Sequence, residues 1–144
     1  MDLVIRRFRL SDYDAVMALW TEAGLPLKPA GRDARDRIEA QSAEPHVIFL
    51  VAEAGGVIAG TVVGTHDGRK GWINRLAVRE DMRRRGMGER LVREAEAWLE
   101  DAGMDVLACL IEEGNEASME FFSRLGYVRK DDIHYFVKKR TPAS

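Results

Sequence analysis

Positions 83–89 read Arg83, Arg84, Arg85, Gly86, Met87, Gly88 and Glu89, a basic turn between an apolar strand pattern and an amphipathic helix pattern. The glycines fall where the helix begins, so a ligand can reach the backbone without meeting a Cβ. The first N–H groups of a helix also have no partner inside it. The helix dipole adds about half a positive charge at that end, and a diphosphate there would meet some of the three arginines. Two familiar phosphate motifs are excluded. A P-loop needs Gly-x-x-x-x-Gly-Lys-Ser/Thr, and no Lys-Ser or Lys-Thr follows a glycine here. The dinucleotide fingerprint needs a third glycine three residues after the second, where Leu91 stands.

The spacing of apolar residues predicts the elements that hold this turn. Residues 72–78, ending Leu76, Ala77 and Val78, read as a strand. From Gly88, the residues Leu91, Val92, Ala95, Trp98 and Leu99 keep helical spacing as far as Gly103, so the anion site is a helix N-terminus. The nearly continuous apolar run 104–111 predicts a strand buried on both faces, parallel to 72–78 through the helical crossover. Upstream, 3–8 reads as a strand, and Ser11 with Asp14 marks a helix whose stripe is Tyr13, Val16, Met17 and Trp20. Residues 33–41 form a short charged helix around Ile38. Arg32, Arg35 and Arg37 are either its solvated face or a contact for an acidic acceptor, so the segment is a candidate substrate lid.

Runs 46–53 and 57–65 predict a hairpin around Ala54-Gly55-Gly56, continued to the strand at 72 by the turn 67–71. Asn115 is placed to cap a helix through Phe121, Phe122 and Leu125. Tyr127-Val128 and 133–137 then predict a closing hairpin around Lys130-Asp131-Asp132, with a frayed tail from 138.

With 144 residues, 46% hydrophobic and 32% charged, the chain fits one domain, 1–144, burying about two thirds of its unfolded surface. A net charge of −2 with interspersed signs makes the arginine cluster local and argues against a nucleic-acid surface. No apolar run approaches the roughly 20 residues of a membrane span and no signal core follows the N-terminus, so a cytoplasmic protein is expected. The single Cys109 cannot form an internal disulfide, and three scattered histidines give no metal-ligand spacing.

The pattern Arg83-x-x-Gly86-x-Gly88 after a strand ending Leu76-Ala77-Val78 resembles the coenzyme A signature of the GNAT superfamily of acyl-CoA-dependent N-acyltransferases. The superfamily's second motif, Asn-x-x-Ala/Ser-x-x-x-Tyr-x-x-x-Gly-Phe/Tyr, is matched by Asn115, Ser118, Gly126 and Tyr127, with Phe122 where the tyrosine stands. Leu50-Val51-Ala52-Glu53, Gly60-Thr61-Val62, Gly64 and Asp67-Gly68 look most like the small YpeA-type acetyltransferases.

The resemblance implies an α/β GNAT fold. That fold is a twisted, mixed and mostly antiparallel sheet with a central splayed parallel strand pair, about four helices, and the order β-α-α-β-β-β-α-β-α-β-β. It implies acetyl-CoA as cosubstrate, a primary amine as acceptor, no nucleic acid or membrane as partner, and a monomer or homodimer. The backbone of Leu76, Ala77 and Val78 would hydrogen-bond the pantetheine arm like an added strand. The turn from Arg83 to Glu89 would hold the diphosphate. Asn115, Ser118 and Phe122 would line the pantetheine side from the far lip.

Acetyl transfer needs a neutral amine, and a lysine-like amine with a pKa near 10.4 must lose a proton first. Many relatives carry a Glu at the position of Asn74, and the ribosomal-protein alanine acetyltransferases carry one at the position of Leu110. Neither carboxylate is present here. Glu112 and Glu113, of which strand alternation would turn only one toward the acceptor, are the nearest substitutes, followed by His66 and Asp67. Phe122 replaces the tyrosine that protonates the departing thiol in many relatives, leaving Tyr135 and Tyr127 as substitutes by proximity. A thiol pKa near 8.5 makes thiolate a tolerable leaving group at neutral pH, so the loss need not abolish activity. These losses also raise an alternative, a non-catalytic acyl-CoA-binding module.

Overall fold

The strand β2 (Val47–Ala54) is buried along nearly its whole length, so the sheet around it has to be covered on both faces. In the computed structural model, which describes residues 2–144, the sheet runs β1 (Leu3–Arg7), β2, β3 (Val57–His66), β4 (Gly71–Val78) and β5 (Leu107–Ala108). The first four strands are antiparallel neighbours and β5 is parallel to β4. Helices α1 (Tyr13–Glu22) and α2 (Arg35–Ser42) cover one face, while α3 (Met87–Asp101) and α4 (Glu116–Arg124) cover the other.

Strand alternation sorts the core into two layers. Ile48, Leu50 and Ala52 point at Leu91, Val92, Ala95 and Leu99 of α3. Val47, Phe49 and Val51 point at Val16, Leu19 and Trp20 of α1 and at Ile38 of α2, and Phe49 stacks between Phe8 and Trp20 with ring centroids at 4.4 and 5.8 Å. Leu91 is fully buried. Truncating a leucine in such a place costs about 2–5 kcal/mol.

The start of α1 is organised by Asp12 and not by the predicted Ser11 and Asp14. Asp12 accepts both terminal nitrogens of Arg6, at 2.8 and 2.9 Å, and the N–H of Arg9 at 2.8 Å. A 3₁₀ turn, Leu10–Asp12, therefore precedes the helix. Arg6 also donates to Glu53 at 3.0 Å, so one guanidinium ties β1, β2 and the approach to α1.

Two predictions about the C-terminal third do not hold. Only Leu107 and Ala108 of the run 104–111 are paired, and its outer side is open, with Val106 and Leu110 50% and 58% exposed. Among the described residues no strand follows α4, and the segment predicted as a closing hairpin is irregular and exposed. Strand-forming residues need a partner. With two paired residues, β5 offers almost no ladder on which a hairpin could build. The charged stretch from Arg129 instead makes a local link, Arg129 Nε donating to Asp131 at 2.6 Å.

The feature that shapes the centre of the sheet is a bulge in β4. Val63 pairs with Asn74 and Thr61 with Ala77, so Arg75 and Leu76 both stand opposite Val62. Arg75 takes up the extra residue with a positive φ of 53°, and its carbonyl accepts the hydroxyl of Thr61 at 2.9 Å. The same Thr61 oxygen accepts the indole N–H of Trp20 at 2.9 Å, locking the bulge to α1.

Candidate active site

Strands β4 and β5 pair only at Gly71–Leu107 and Trp72–Ala108. From Ile73 onward the edge of β4 that faces β5 has no strand partner, and the bulge at Arg75 and Leu76 lies within this unpaired stretch. A slot results between Leu76, Ala77 and Val78 on one side and the chain from Cys109 onward on the other.

The slot leads to the basic turn. After Val78 a short 3₁₀ turn, Glu80–Met82, is anchored by the buried Met82. Arg84 and Gly86 then adopt left-handed φ values of 64° and 78° on either side of Arg85. Gly86 is the residue before α3, and no side chain caps the helix. Among the described residues, none of the N–H groups of 84–89 has a hydrogen-bond acceptor. Six backbone donors on a curled turn at a helix start form an anion cradle, the fit expected of a coenzyme A diphosphate.

The arginines do not act as one cluster: Arg83 Nε donates back to the carbonyl of Val78 at 3.0 Å, and Arg85 leans on the sulfur of Met82 at 3.9 Å. The cradle is therefore mainly backbone. A Cβ on Gly88 would sit 3.5 Å from the ring of Phe121 and 3.7 Å from Val78, so the ends of β4, α3 and α4 converge at this mouth.

On the far lip, Asn115 accepts the N–H of Ser118 at 3.2 Å as the cap of α4, leaving its amide nitrogen free to donate. Phe122 is buried, with edge-on contacts of 5.1 Å to both Phe121 and Tyr127. Tyr127 donates to Glu96 at 2.7 Å, and Glu96 in turn accepts Arg93 at 2.9 Å. Burial and then the Glu96 hydrogen bond push the Tyr127 phenol far up, so its proton is held toward α3. Tyr135 is 72% exposed in the irregular C-terminal segment, and the structure does not bring it into the site. Of the two substitute tyrosines, only Tyr127 packs against the core.

Glu112 and Glu113 lie exposed in the turn that ends at Asn115, outside any strand, so alternation does not select between them. His66 pairs opposite Gly71, five residues or about 17 Å along β4 from Leu76 at a strand rise near 3.4 Å. Its Nδ1 accepts the N–H of Gly68 at 3.1 Å. Asp67 accepts the N–H groups of Arg69 and Lys70, both at 2.9 Å, and those bonds hold its carboxyl below the usual range. Both are turn-forming residues remote from the slot. Cys109 is half-buried beside the slot, and desolvation pushes its thiol up to about 11.

Sequence reasoning did not single out Arg75 or Asp33. Arg75 lies 4.9 Å over the ring of Trp20, donates to the carbonyl of Pro26 at 2.8 Å and to the buried Asp33 at 3.4 Å. Asp33 also accepts the N–H of Lys28 at 2.8 Å. The available signal was an arginine inside an otherwise apolar strand pattern, a position that suits a bulge.

A splayed mixed sheet with an unpaired strand edge running into a backbone anion cradle defines an acyl-CoA-dependent transferase fold. The chain belongs to the acetyltransferase (GNAT) family, which matches residues 13–127. It is 35% identical over 129 residues to an acetyltransferase of Yersinia enterocolitica, covering 90% of each chain. Among solved structures it is similar to the aminoglycoside acetyltransferase AAC(6')-Iy bound to a bisubstrate analogue of coenzyme A, with TM-score 0.80, 18% identity, and 96% and 99% of the two chains covered. The PaiA N-acetyltransferase of Thermoplasma acidophilum bound to coenzyme A gives TM-score 0.78 at 18% identity, covering 91% of this chain and 92% of that one. Among the described residues no helix is long and apolar enough to cross a membrane.

Proposed function

We propose that the protein is an N-acetyltransferase that moves the acetyl group of acetyl-CoA to a primary amine by direct attack in a ternary complex. The observation that carries this reading is the set of unpaired N–H groups over 84–89 next to the unpaired edge of β4. Acetyl-CoA would supply the activated acyl group as a thioester, and the amine nitrogen would form the amide as the C–S bond breaks. Backbone of Leu76, Ala77 and Val78 would orient the pantetheine arm, and residues 84–89 the diphosphate. An N–H near Leu76, freed by the bulge, would carry the charge that develops on the carbonyl oxygen. Asn115 would donate its free amide from the opposite lip, and Ser118 and Phe122 would shape that wall.

Cys109 favours direct transfer over an acyl-enzyme, because a thiol pushed up to about 11 is almost wholly protonated at neutral pH. The proton lost by the amine would pass to water, with Glu112 and Glu113 as candidate bases. The departing thiolate would take its proton from solvent, since Phe122 has none to give and Tyr127 is committed to Glu96. Family membership supports this enzymatic reading over a non-catalytic acyl-CoA-binding module. We infer that the chain works as one domain in the cytoplasm, consistent with its single cysteine.

The test is thiol release from acetyl-CoA across a panel of amines, with the acetylated product identified by mass spectrometry. Acetyl-CoA binding with no amine-dependent thiol release from any panel member would favour the binding module.

A further inference from the structure

Opposite α3, a cavity of about 380 Å³ opens between α1, α2 and the end of the β3–β4 pair. Trp20 and Ile38 line it, and its polar residues include Arg32, Arg37, Asn74, Arg75 and Asp33. Three guanidinium groups thus meet one carboxylate, a local excess of two positive charges in a protein whose net charge is −2. The single carboxylate is already engaged, since Asp33 accepts Arg75 and the Lys28 N–H. Arg75 is held in place by Pro26, Trp20 and Asp33. Arg32 and Arg37 make no ion pair with any described residue, and both also line an adjoining cavity of about 260 Å³.

The β4 bulge gives this cavity its link to the reaction. By adding a residue it turns two successive side chains, Asn74 and Arg75, toward the α1–α2 face, immediately before Leu76 at the slot. One strand residue spans about 3.3 Å, so a small molecule anchored in the cavity can present an amine to the slot. Guanidinium forks pair with carboxylate and phosphate oxygens in a fixed geometry, and the same field repels cations.

Resting on the acetyl-transfer reading, we propose that this cavity is the acceptor pocket and that it selects a small amine that also carries a carboxylate or phosphate. Arg32 and Arg37 grip the anionic group while Arg75 and Asn74 orient the acceptor. A polycationic acceptor of the aminoglycoside kind is disfavoured by the same charges.

The experiment presents the protein and acetyl-CoA with matched acceptors: amino acids against their amides, phosphoethanolamine against ethanolamine, and a polyamine. The anionic member of at least one pair should have a kcat/KM at least tenfold above its neutral partner, and which pair responds separates carboxylate from phosphate. In Arg37→Gln and Arg32→Gln, both at exposed positions, this ratio should fall toward one through KM. Arg37→Glu should invert it. Acetylation that is indifferent to charge, or that favours the polyamine, overturns the pocket assignment while leaving acetyl transfer intact. A readout without turnover covers the remaining case. By calorimetry in the presence of coenzyme A, N-acetylglutamate should bind at least tenfold tighter than its diamide, and Arg37→Gln should abolish the difference. Equal binding of the two rejects the pocket even if no acceptor is acetylated.

Discussion

The anion cradle and the arginine-lined cavity lie on opposite sides of β4 and are made of different materials. The cradle is backbone: two left-handed residues, an uncapped helix start and six unpaired N–H groups. The cavity is side chains, drawn from α1, the α1–α2 connection, α2, β3 and β4 and held by long-range bonds such as Arg75 to Asp33 and Trp20 to Thr61. A backbone site depends on local conformation and changes little with the identity of neighbouring side chains. A side-chain site can be retuned residue by residue, which suits a family with a shared donor and varied acceptors.

The largest effect expected is on the backbone side. Gly88→Glu should weaken coenzyme A binding at least 100-fold, about 2.7 kcal/mol by calorimetry, by setting charge and bulk where the proposed site would hold the diphosphate. Gly86→Glu should do the same and also lose roughly 1–2 kcal/mol of stability to its left-handed φ, whereas Gly86→Asn should keep both binding and fold. If Gly88→Glu binds normally, the cradle is not the diphosphate site and the contrast with the cavity collapses.

This difference in material also explains what the sequence disclosed. The glycine spacing, the Asn115 cap and the amphipathic stripe of α3 are local, so the turn, the starts of α3 and α4 and the antiparallel order of β1 to β4 could be read from residue patterns. Arg75 meets Asp33 across 42 positions and Trp20 meets Thr61 across 41, distances no pattern spans. The same limit undid the C-terminal strands: Ile133 and Phe136 have strand propensity, but β5 pairs through two residues only, and pairing is a property of the neighbour.

Next in size is the charged junction that seats α1, and through Trp20 the cavity. Asp12→Asn should cost about 2–3 kcal/mol in urea unfolding, since it weakens a nearly buried bidentate pair. The hydrogen bonds from Arg6 hold the Asp12 carboxyl below its ordinary value. Its contribution is then present above the unfolded pKa near 4 and fades as pH falls through that value toward the folded one. The wild type should lose stability across that acid range more steeply than Asp12→Asn. Parallel curves would show that Arg6 and Asp12 are not coupled.

A smaller effect tests whether the two sites are separable. Thr61→Val removes the hydroxyl between Trp20 and the Arg75 carbonyl, and should cost about 1–2 kcal/mol and raise the acceptor KM. The dissociation constant for acetyl-CoA should stay within twofold. A matching loss of acetyl-CoA affinity would mean the bulge is shared machinery.

The smallest effect is expected from Phe122→Tyr. The ring is packed edge-on against Phe121 and Tyr127, so the added hydroxyl should change kcat less than tenfold and cost about 1 kcal/mol of stability. A larger gain in kcat, with a new basic limb in the pH profile, would mean that the ring edge faces the thiol.

Whether backbone donors on one side of β4 hold the cosubstrate is read from the backbone amides in a nitrogen-15 NMR titration with coenzyme A. Large downfield shifts are expected for residues 84–89 and smaller ones along 76–78, with the arginine-lined cavity nearly still. Saturable binding that leaves 84–89 unmoved would contradict that role.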